Sequence, residues 1–105
     1  MTALTWAERD AYRLHGLPLR GETLLGSNVV AARRRGVRTI NGTDWPVTDR
    51  LERQQHGRRV SWVVVIGLCN GVPDVSYAWR TYREAGRAWV SGDYSGAVSV
   101  ERGRP

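Results

Sequence analysis

Residues 60–81 read VSWVVVIGLCNGVPDVSYAWRT, and this stretch decides the fold class. Two runs rich in β-branched and aromatic residues flank Asn70-Gly71, a dipeptide that readily supplies the positive φ angles of a tight type I′ turn. A two-residue loop at this point fixes which residues of the two strands lie opposite each other. The sequence therefore predicts a β-hairpin over residues 59–81 with a defined register.

The predicted register sorts the hairpin side chains into two unlike faces. One face carries large apolar residues, in the pairs Trp62 with Trp79, Val64 with Tyr77, Ile66 with Val75, and Val60 with Thr81. The other face carries smaller or more polar residues, in the pairs Val63 with Ala78, Val65 with Ser76, and Ser61 with Arg80. Because large apolar pairs stabilise the buried side of a sheet, we expect Trp62 and Trp79 to pack together in the core.

An alternative for the second half of this hairpin is a helix. Val75, Ala78, Trp79 and Tyr82 fall at helical spacing after Asp74, which is a good helix cap. Periodicity alone leaves this alternative open, and the agreement between the turn and the cross-strand pairs favours the hairpin.

The flanking sequence predicts further elements on both sides. Thr5 followed by Glu8 has the capping-box spacing and predicts a helix over residues 6–15. Thr81 and Glu84 repeat that spacing and predict a helix that ends at Gly92, followed by a last strand over residues 97–101. A second Asn-Gly dipeptide, at Asn41-Gly42, predicts a hairpin over residues 37–47.

Two other segments have helical patterns. Leu25, Val29 and Ala32 recur at helical intervals and predict a helix that ends at Gly36, with residues 33–35 in its last turn. Thr48 can cap a brief helix over residues 49–56.

Together these elements predict one α+β domain over residues 1–105. It consists of a small antiparallel sheet of hairpins (37–47 and 59–81) plus a C-terminal strand, packed against two or three short helices, with a short basic tail over residues 102–105. The longest apolar run is far shorter than the roughly 20 residues that a membrane span needs, and the N-terminal residues do not resemble a secretory signal. We therefore expect a cytoplasmic protein that does not enter a membrane.

The charge of the chain gives the strongest functional indication. The net charge is +6 and the sequence pI is near 10.7, which produces a positive field that favours anionic partners. Two stretches, residues 23–43 and 53–73, contain arginines and no acidic residue. Their arginines are Arg33, Arg34, Arg35, Arg38, Arg53, Arg58 and Arg59.

Motifs that would indicate catalysis are scarce. The single cysteine, Cys69, excludes an intramolecular disulfide and a zinc site built from several cysteines, and no nucleophile elbow or phosphate-binding glycine loop occurs. The sharpest enzymatic alternative is a divalent metal held by Asp49, Glu52 and His56 on one face of the predicted 49–56 helix. Helix-end electrostatics explain those three residues equally well, so we expect no catalytic residue, metal or cofactor.

Three functions remain open, in this order. The first is a non-catalytic accessory protein that binds nucleic acid through the seven arginines above and through Trp45, which like Tyr94 is expected to be a surface aromatic residue beside a turn. The second is a small protein-interaction module or inhibitor of the phage or mobile-element type, which binds an acidic or nucleic-acid-processing protein. The third is a metal-dependent nuclease. The sequence leaves the oligomeric state open.

Overall fold

The computed structural model describes residues 4–69 and 71–103 of the chain. Five strands form one antiparallel sheet, in which the order β1-β2-β3-β4-β5 follows the chain. The strands are β1 Val29–Ile40, β2 Thr43–His56, β3 Arg59–Leu68, β4 Val75–Trp79 and β5 Ser99–Arg102. Helix α1 (Trp6–Leu14) precedes the sheet, and helix α2 (Tyr82–Ser91) connects β4 to β5. The predicted α+β class is confirmed.

Strand β2 is displaced relative to both of its neighbours. It pairs with β1 from Thr43 to Glu52, whereas it pairs with β3 from Val47 to His56. Within the described residues, positions 43–46 therefore pair only with β1, and positions 53–56 pair only with β3. The first end is a projecting two-stranded hairpin, and the second end leaves one edge of β2 open.

The β3–β4 ladder has the register that the sequence predicts. Its pairs are Trp62 with Trp79, Val63 with Ala78, Val64 with Tyr77, Val65 with Ser76, and Ile66 with Val75. The alternative helix over this segment is therefore wrong. Because β3 ends at Leu68 and β4 begins at Val75, the connection is longer than the predicted two-residue turn; Asn70 itself lies outside the described residues.

Two predicted helices are wrong, because both segments are strands. The segment that ends at Gly36 belongs largely to β1, and residues 49–56 belong to β2. The pairing of β1 shifts by one residue between Val29 and Ala31, and this bulge breaks the two-residue alternation that would have indicated a strand. The first hairpin, residues 37–47, is confirmed, and its strands extend well beyond the predicted bounds.

The C-terminal strand is confirmed, and it includes part of the predicted tail. Arg102 pairs with Val75, and the backbone N–H of Gly103 donates to the carbonyl of Asp74 at 2.9 Å. Arg102 therefore lies in the sheet and Gly103 is hydrogen-bonded beside it, while Arg104 and Pro105 lie outside the described residues.

Both helices begin at the capping residues that the sequence indicates. The Thr5 hydroxyl accepts from the Glu8 N–H, and the Glu8 carboxylate accepts from the Thr5 N–H. The Thr81 hydroxyl accepts from the Glu84 N–H at 3.2 Å, and α2 ends at Gly92, whose φ is 75°. In the described part of the chain, neither helix is long and apolar enough to cross a membrane.

The helices cover one face of the sheet. Helix α2 lies on β3 and β4, and α1 packs on α2. The core between them includes Leu51, Val64, Ile66 and Trp79 from the sheet, Ala85, Ala88 and Trp89 from α2, and Tyr12 from α1. The α1–α2 contact is close at Gly86, where an added Cβ atom would overlap the Tyr12 hydroxyl oxygen.

A charged group is built around one buried carboxylate, and we call it the Asp49 cluster: Asp49, Arg33, Arg35 and Tyr94. Asp49 is 2% exposed. Its carboxylate accepts two hydrogen bonds from Arg35, at 2.7 and 3.1 Å, and one from the Tyr94 hydroxyl at 2.9 Å. Arg33 lies 3.6 Å from the same carboxylate, with its guanidinium 3.9 Å from the centre of the Trp89 ring. A buried carboxylate needs such partners, so the cluster fixes β1, β2, α2 and the loop before β5 together.

Removing the buried Trp79 should destabilise the domain strongly. Trp79→Ala should lower the free energy of unfolding by about 3–5 kcal/mol, because it deletes a large side chain that is 2% exposed. Trp45→Ala deletes the same side chain where it is 50% exposed and should cost less than about 1 kcal/mol. Urea unfolding curves of the two variants provide the measurement. Equal losses would contradict the core position of Trp79.

Breaking the Asp49 cluster should also be costly. Asp49→Ala leaves Arg33 and Arg35 without their shared carboxylate and the buried Tyr94 hydroxyl without its acceptor, and we expect a loss of about 1.5–3 kcal/mol. Asp44→Ala removes the same charge from an exposed position of β2 and should cost less than about 1 kcal/mol. Chemical unfolding at neutral pH compares the two. If Asp49→Ala were as stable as Asp44→Ala, the cluster would contribute nothing net to folding.

Candidate nucleic-acid interface

The structure assigns three of the seven predicted binding arginines to ion pairs within the chain. Arg33 and Arg35 belong to the Asp49 cluster. Arg38 pairs with Asp74 through both of its terminal nitrogens, and this pairing holds the pKa of the Asp74 carboxyl below its usual value. These three side chains are therefore at least partly neutralised before any partner arrives.

Arg34 and Trp45 lie toward the projecting end of the β1–β2 hairpin. Arg34 is exposed, and Trp45 is 50% exposed, which confirms its prediction as a surface aromatic residue. The same prediction is wrong for Tyr94, which is 7% exposed because its hydroxyl reaches inward to Asp49. The exposed residues Val37 and Ile40 give this end an apolar surface.

The remaining predicted arginines, Arg53, Arg58 and Arg59, lie at the opposite end of β2. With His56 and Arg80 they form a group that we call the basic end. Arg80 directly follows β4, and it lines a groove together with His56 and Arg59. Within residues 4–69 and 71–103, no member of the basic end makes an ion pair with an acidic side chain. Positive charge is therefore concentrated and available here.

Arg80 was not among the predicted binding residues, although the sequence carried a signal for it. The predicted register places Arg80 opposite Ser61, two residues from Arg59. A charge count taken along the chain could not show this proximity, because Arg80 lies outside both acid-free stretches.

A polar cleft of about 460 Å³ lies beside the basic end, and we call it the amide cleft. It forms where β2 extends past the start of β1, so that the loop over residues 23–28 lies against β2 residues 53–56. The loop is attached by the Arg53 N–H, which donates to the Asn28 carbonyl at 2.9 Å. The side chains that line the cleft are Thr23, Ser27 and Asn28 from the loop and Arg53, Gln54, Gln55 and His56 from β2.

Glu52 fixes the orientation of two amides in this cleft. It is 9% exposed, and its Oε1 accepts from Asn28 Nδ2 and Gln54 Nε2, each at 3.2 Å, while Arg50 lies 3.4 Å from its Oε2. A carboxylate can only accept hydrogen bonds, so the amide nitrogens face Glu52 and the amide oxygens face away from it. Asn28, Glu52 and Gln54 were not predicted as a group.

A second depression lies on the face of the sheet away from the helices. It is a groove of about 640 Å³ with a floor of small side chains, including Val63, Val65 and Ala78. Arg59 and Arg80 line it together with Glu101. The groove and the amide cleft share Gln54 and His56 at their margins, so both open at the basic end.

The structure does not bring the three predicted metal ligands together. Residues 49–56 form a strand, so Asp49 points toward the core face while Glu52 and His56 point to the opposite face. Asp49 and Glu52 are each occupied by hydrogen bonds within the chain. In the part of the chain that the structure describes, no three His, Cys, Asp or Glu residues are grouped to hold a metal ion.

Comparison with known proteins gives no relative for this arrangement. No protein-family model, no curated protein and no solved structure matches the chain.

Proposed function

We propose that the chain is a non-catalytic nucleic-acid-binding protein, acting in the cytoplasm, and that the basic end is its contact surface. The observation that carries the proposal is the contrast between the two groups of predicted arginines. Arg33, Arg35 and Arg38 are held by carboxylates of the chain, whereas the members of the basic end are exposed or half-exposed and make no such pair in the described residues.

Polyanion binding follows from this distribution of charge. Guanidinium groups donate several hydrogen bonds in a fixed fork that suits phosphate oxygens, and they stay charged at every physiological pH. Arg58 lies in the turn between β2 and β3, and Arg59 directly follows it, where a phosphate backbone can approach without obstruction from the helices. Each phosphate contact releases condensed counterions, so the interaction should be strong at low salt and weak at high salt.

A second candidate function is binding to an acidic protein. It is favoured by the projecting hairpin, where Val37, Ile40 and Trp45 are 46%, 38% and 50% exposed. Exposed aromatic and aliphatic side chains beside arginines are typical of protein interfaces. Under this alternative, Trp45→Ala would abolish partner binding, and the purified chain would have no affinity for nucleic acid.

The salt dependence of binding tests the first proposal. The double variant Arg58→Ala/Arg59→Ala should bind oligonucleotides more weakly at low salt, and the slope of log affinity against log salt should fall by roughly 1.5, because two phosphate contacts are lost. Fluorescence anisotropy over a range of salt concentrations gives both quantities.

The matched control is Arg13→Ala/Arg20→Ala, which removes two exposed arginines outside the basic end. It changes net charge by the same amount and should leave the slope within about 0.3 of the parent value. Equal effects of the two double variants would mean that overall charge, and not the basic end, determines binding. Absence of affinity for any nucleic acid at low salt would exclude the proposal.

A further inference from the structure

The amide cleft differs from an ordinary basic patch in the kinds of groups that it presents. Its lining combines hydroxyls, three amides, one guanidinium and one imidazole, with no carboxylate among the residues that the structure describes. Its volume of about 460 Å³ lies in the range of pockets that take small ligands. We propose that this cleft receives one unstacked nucleotide of a single strand, with an amino-bearing base facing the Asn28 and Gln54 carbonyls. This inference rests on the proposed nucleic-acid function and specifies its substrate class.

The base preference follows from the Glu52 contacts. Because both amide nitrogens donate to Glu52 Oε1, the oxygens of Asn28 and Gln54 remain as acceptors on the side away from that carboxylate. Exocyclic amino groups, which adenine, cytosine and guanine carry, are donors that match such acceptors, whereas thymine and uracil lack an amino group. Glu52 is buried, so the two amides are oriented before the ligand binds.

The open edge of β2 adds backbone groups to the same wall. The Arg53 N–H points toward the 23–28 loop, since it donates to the Asn28 carbonyl. Backbone groups alternate in direction along a strand, so the N–H and C=O of Gln55 also point toward the cleft. They offer one donor and one acceptor to a base edge, in addition to the side-chain amides.

The remaining side chains suit the rest of a nucleotide. Arg53 donates to Gln55 Oε1 at 3.4 Å through one nitrogen, and its other donors are left for a phosphate. His56 is exposed at the margin of the cleft and supplies a ring on which a base can stack. Arg58 and Arg59 follow directly along the chain, so the adjoining phosphates can continue onto the basic end.

The shape of the cleft favours a single strand over a duplex. Proteins read duplex bases with an element that protrudes into a groove, whereas the amide cleft is a shallow, open depression between a loop and a strand edge. A base can lie in such a depression only when it has left its stack, and single strands present such bases at little energetic cost.

The test compares labelled oligonucleotides of about 15 residues, within the site sizes of known single-strand binders. The ligands are oligo-dC, oligo-dA, oligo-dT, oligo-rC and a mixed-sequence duplex, measured by fluorescence anisotropy at a salt concentration where phosphate contacts alone are weak. We expect oligo-dA and at least one of the two cytosine polymers to bind about tenfold more tightly than oligo-dT and the duplex, as expected for discrimination by one or two base-edge hydrogen bonds.

Substitutions then locate the preference. Asn28→Leu and Gln54→Leu should each reduce the preference for amino-bearing bases, without changing the salt slope, because neither removes a charge. Thr43→Leu is the control, because it also replaces an uncharged polar side chain with leucine, but at an exposed position of the projecting hairpin outside the cleft, so the preference should remain. Thermal unfolding of each variant confirms that it is folded.

The outcomes separate this inference from the proposed function. Salt-dependent binding that is equal for all the single strands and the duplex would overturn the amide cleft as a nucleotide site and leave the basic end intact. A base preference that is observed but survives in both Asn28→Leu and Gln54→Leu would also overturn the amide cleft as a nucleotide site. No binding to any of the polymers would overturn both proposals. Equal binding to all ligands and absence of binding are both measured on the unmodified chain, so these two outcomes do not require that any variant folds.

Discussion

The carboxylate of Asp49 determines how the most arginine-rich segment of the chain is used. A charged group that is almost fully buried needs several polar partners, and Arg33, Arg35 and Tyr94 are the ones within reach. Two arginines are thereby bound to one internal carboxylate, and the guanidinium of Arg33 also lies over the Trp89 ring. The most arginine-rich segment of the sequence consequently has part of its charge paired within the chain, although Arg33 and Arg35 remain 32% and 48% exposed. The unpaired surface charge is concentrated elsewhere.

A bulge in β1 also determines which of its arginines are paired within the chain. The register of β1 against β2 shifts between Arg34 and Gly36, which leaves Arg35 as the extra residue. After the shift, the even-numbered residues of β1 lie on the same face of the sheet as Asp49. The Arg38 side chain, and not that of Val37, is therefore on the face where it reaches Asp74. The bulge thus allows Arg33 and Arg35 to share Asp49, while Arg38 pairs with Asp74 and Arg34 is left exposed.

The sequence predicted the β3–β4 ladder well because large apolar side chains alternate there with smaller or more polar ones. The large apolar side chains are most stable on the buried face of the sheet, so only one orientation of the strands fits. The prediction failed for β1 and β2 because there the inward positions include charged residues. Asp49 is buried and its charge is satisfied by Arg33 and Arg35, whereas a reading of the pattern that expects only apolar residues inside assigns all three to a solvated helix face. The placement of Tyr94 failed for the same reason, since nothing in the local sequence shows that Asp49 needs a donor.

The candidate interface was predicted only in part. The arginines of the β2–β3 turn were identified from charge alone, because they lie in a stretch, residues 53–73, that contains no acidic residue. The amide cleft was not foreseen: Asn28 and Gln54 are far apart in the sequence, and only the strand conformation of β2 brings them to the same carboxylate. Sites of this kind depend on where a neighbouring strand begins, which is the least predictable feature of a sheet.

Gly86 in α2 is an exception to the rule that replacing a glycine inside a helix by alanine stabilises a protein. Glycine inside a helix usually costs about 0.5–1 kcal/mol relative to alanine, so replacement by alanine is a standard way to raise thermal stability. In this helix the added methyl group would overlap the Tyr12 hydroxyl and ring. Accommodating it would move α1, and with it the Glu8–Arg83 ion pair that joins the two helices. Replacing Gly86 by alanine on the basis of helix propensity alone would therefore lower the stability of the domain. Natural variants of the chain should tolerate a larger residue at position 86 only together with a smaller residue at position 12.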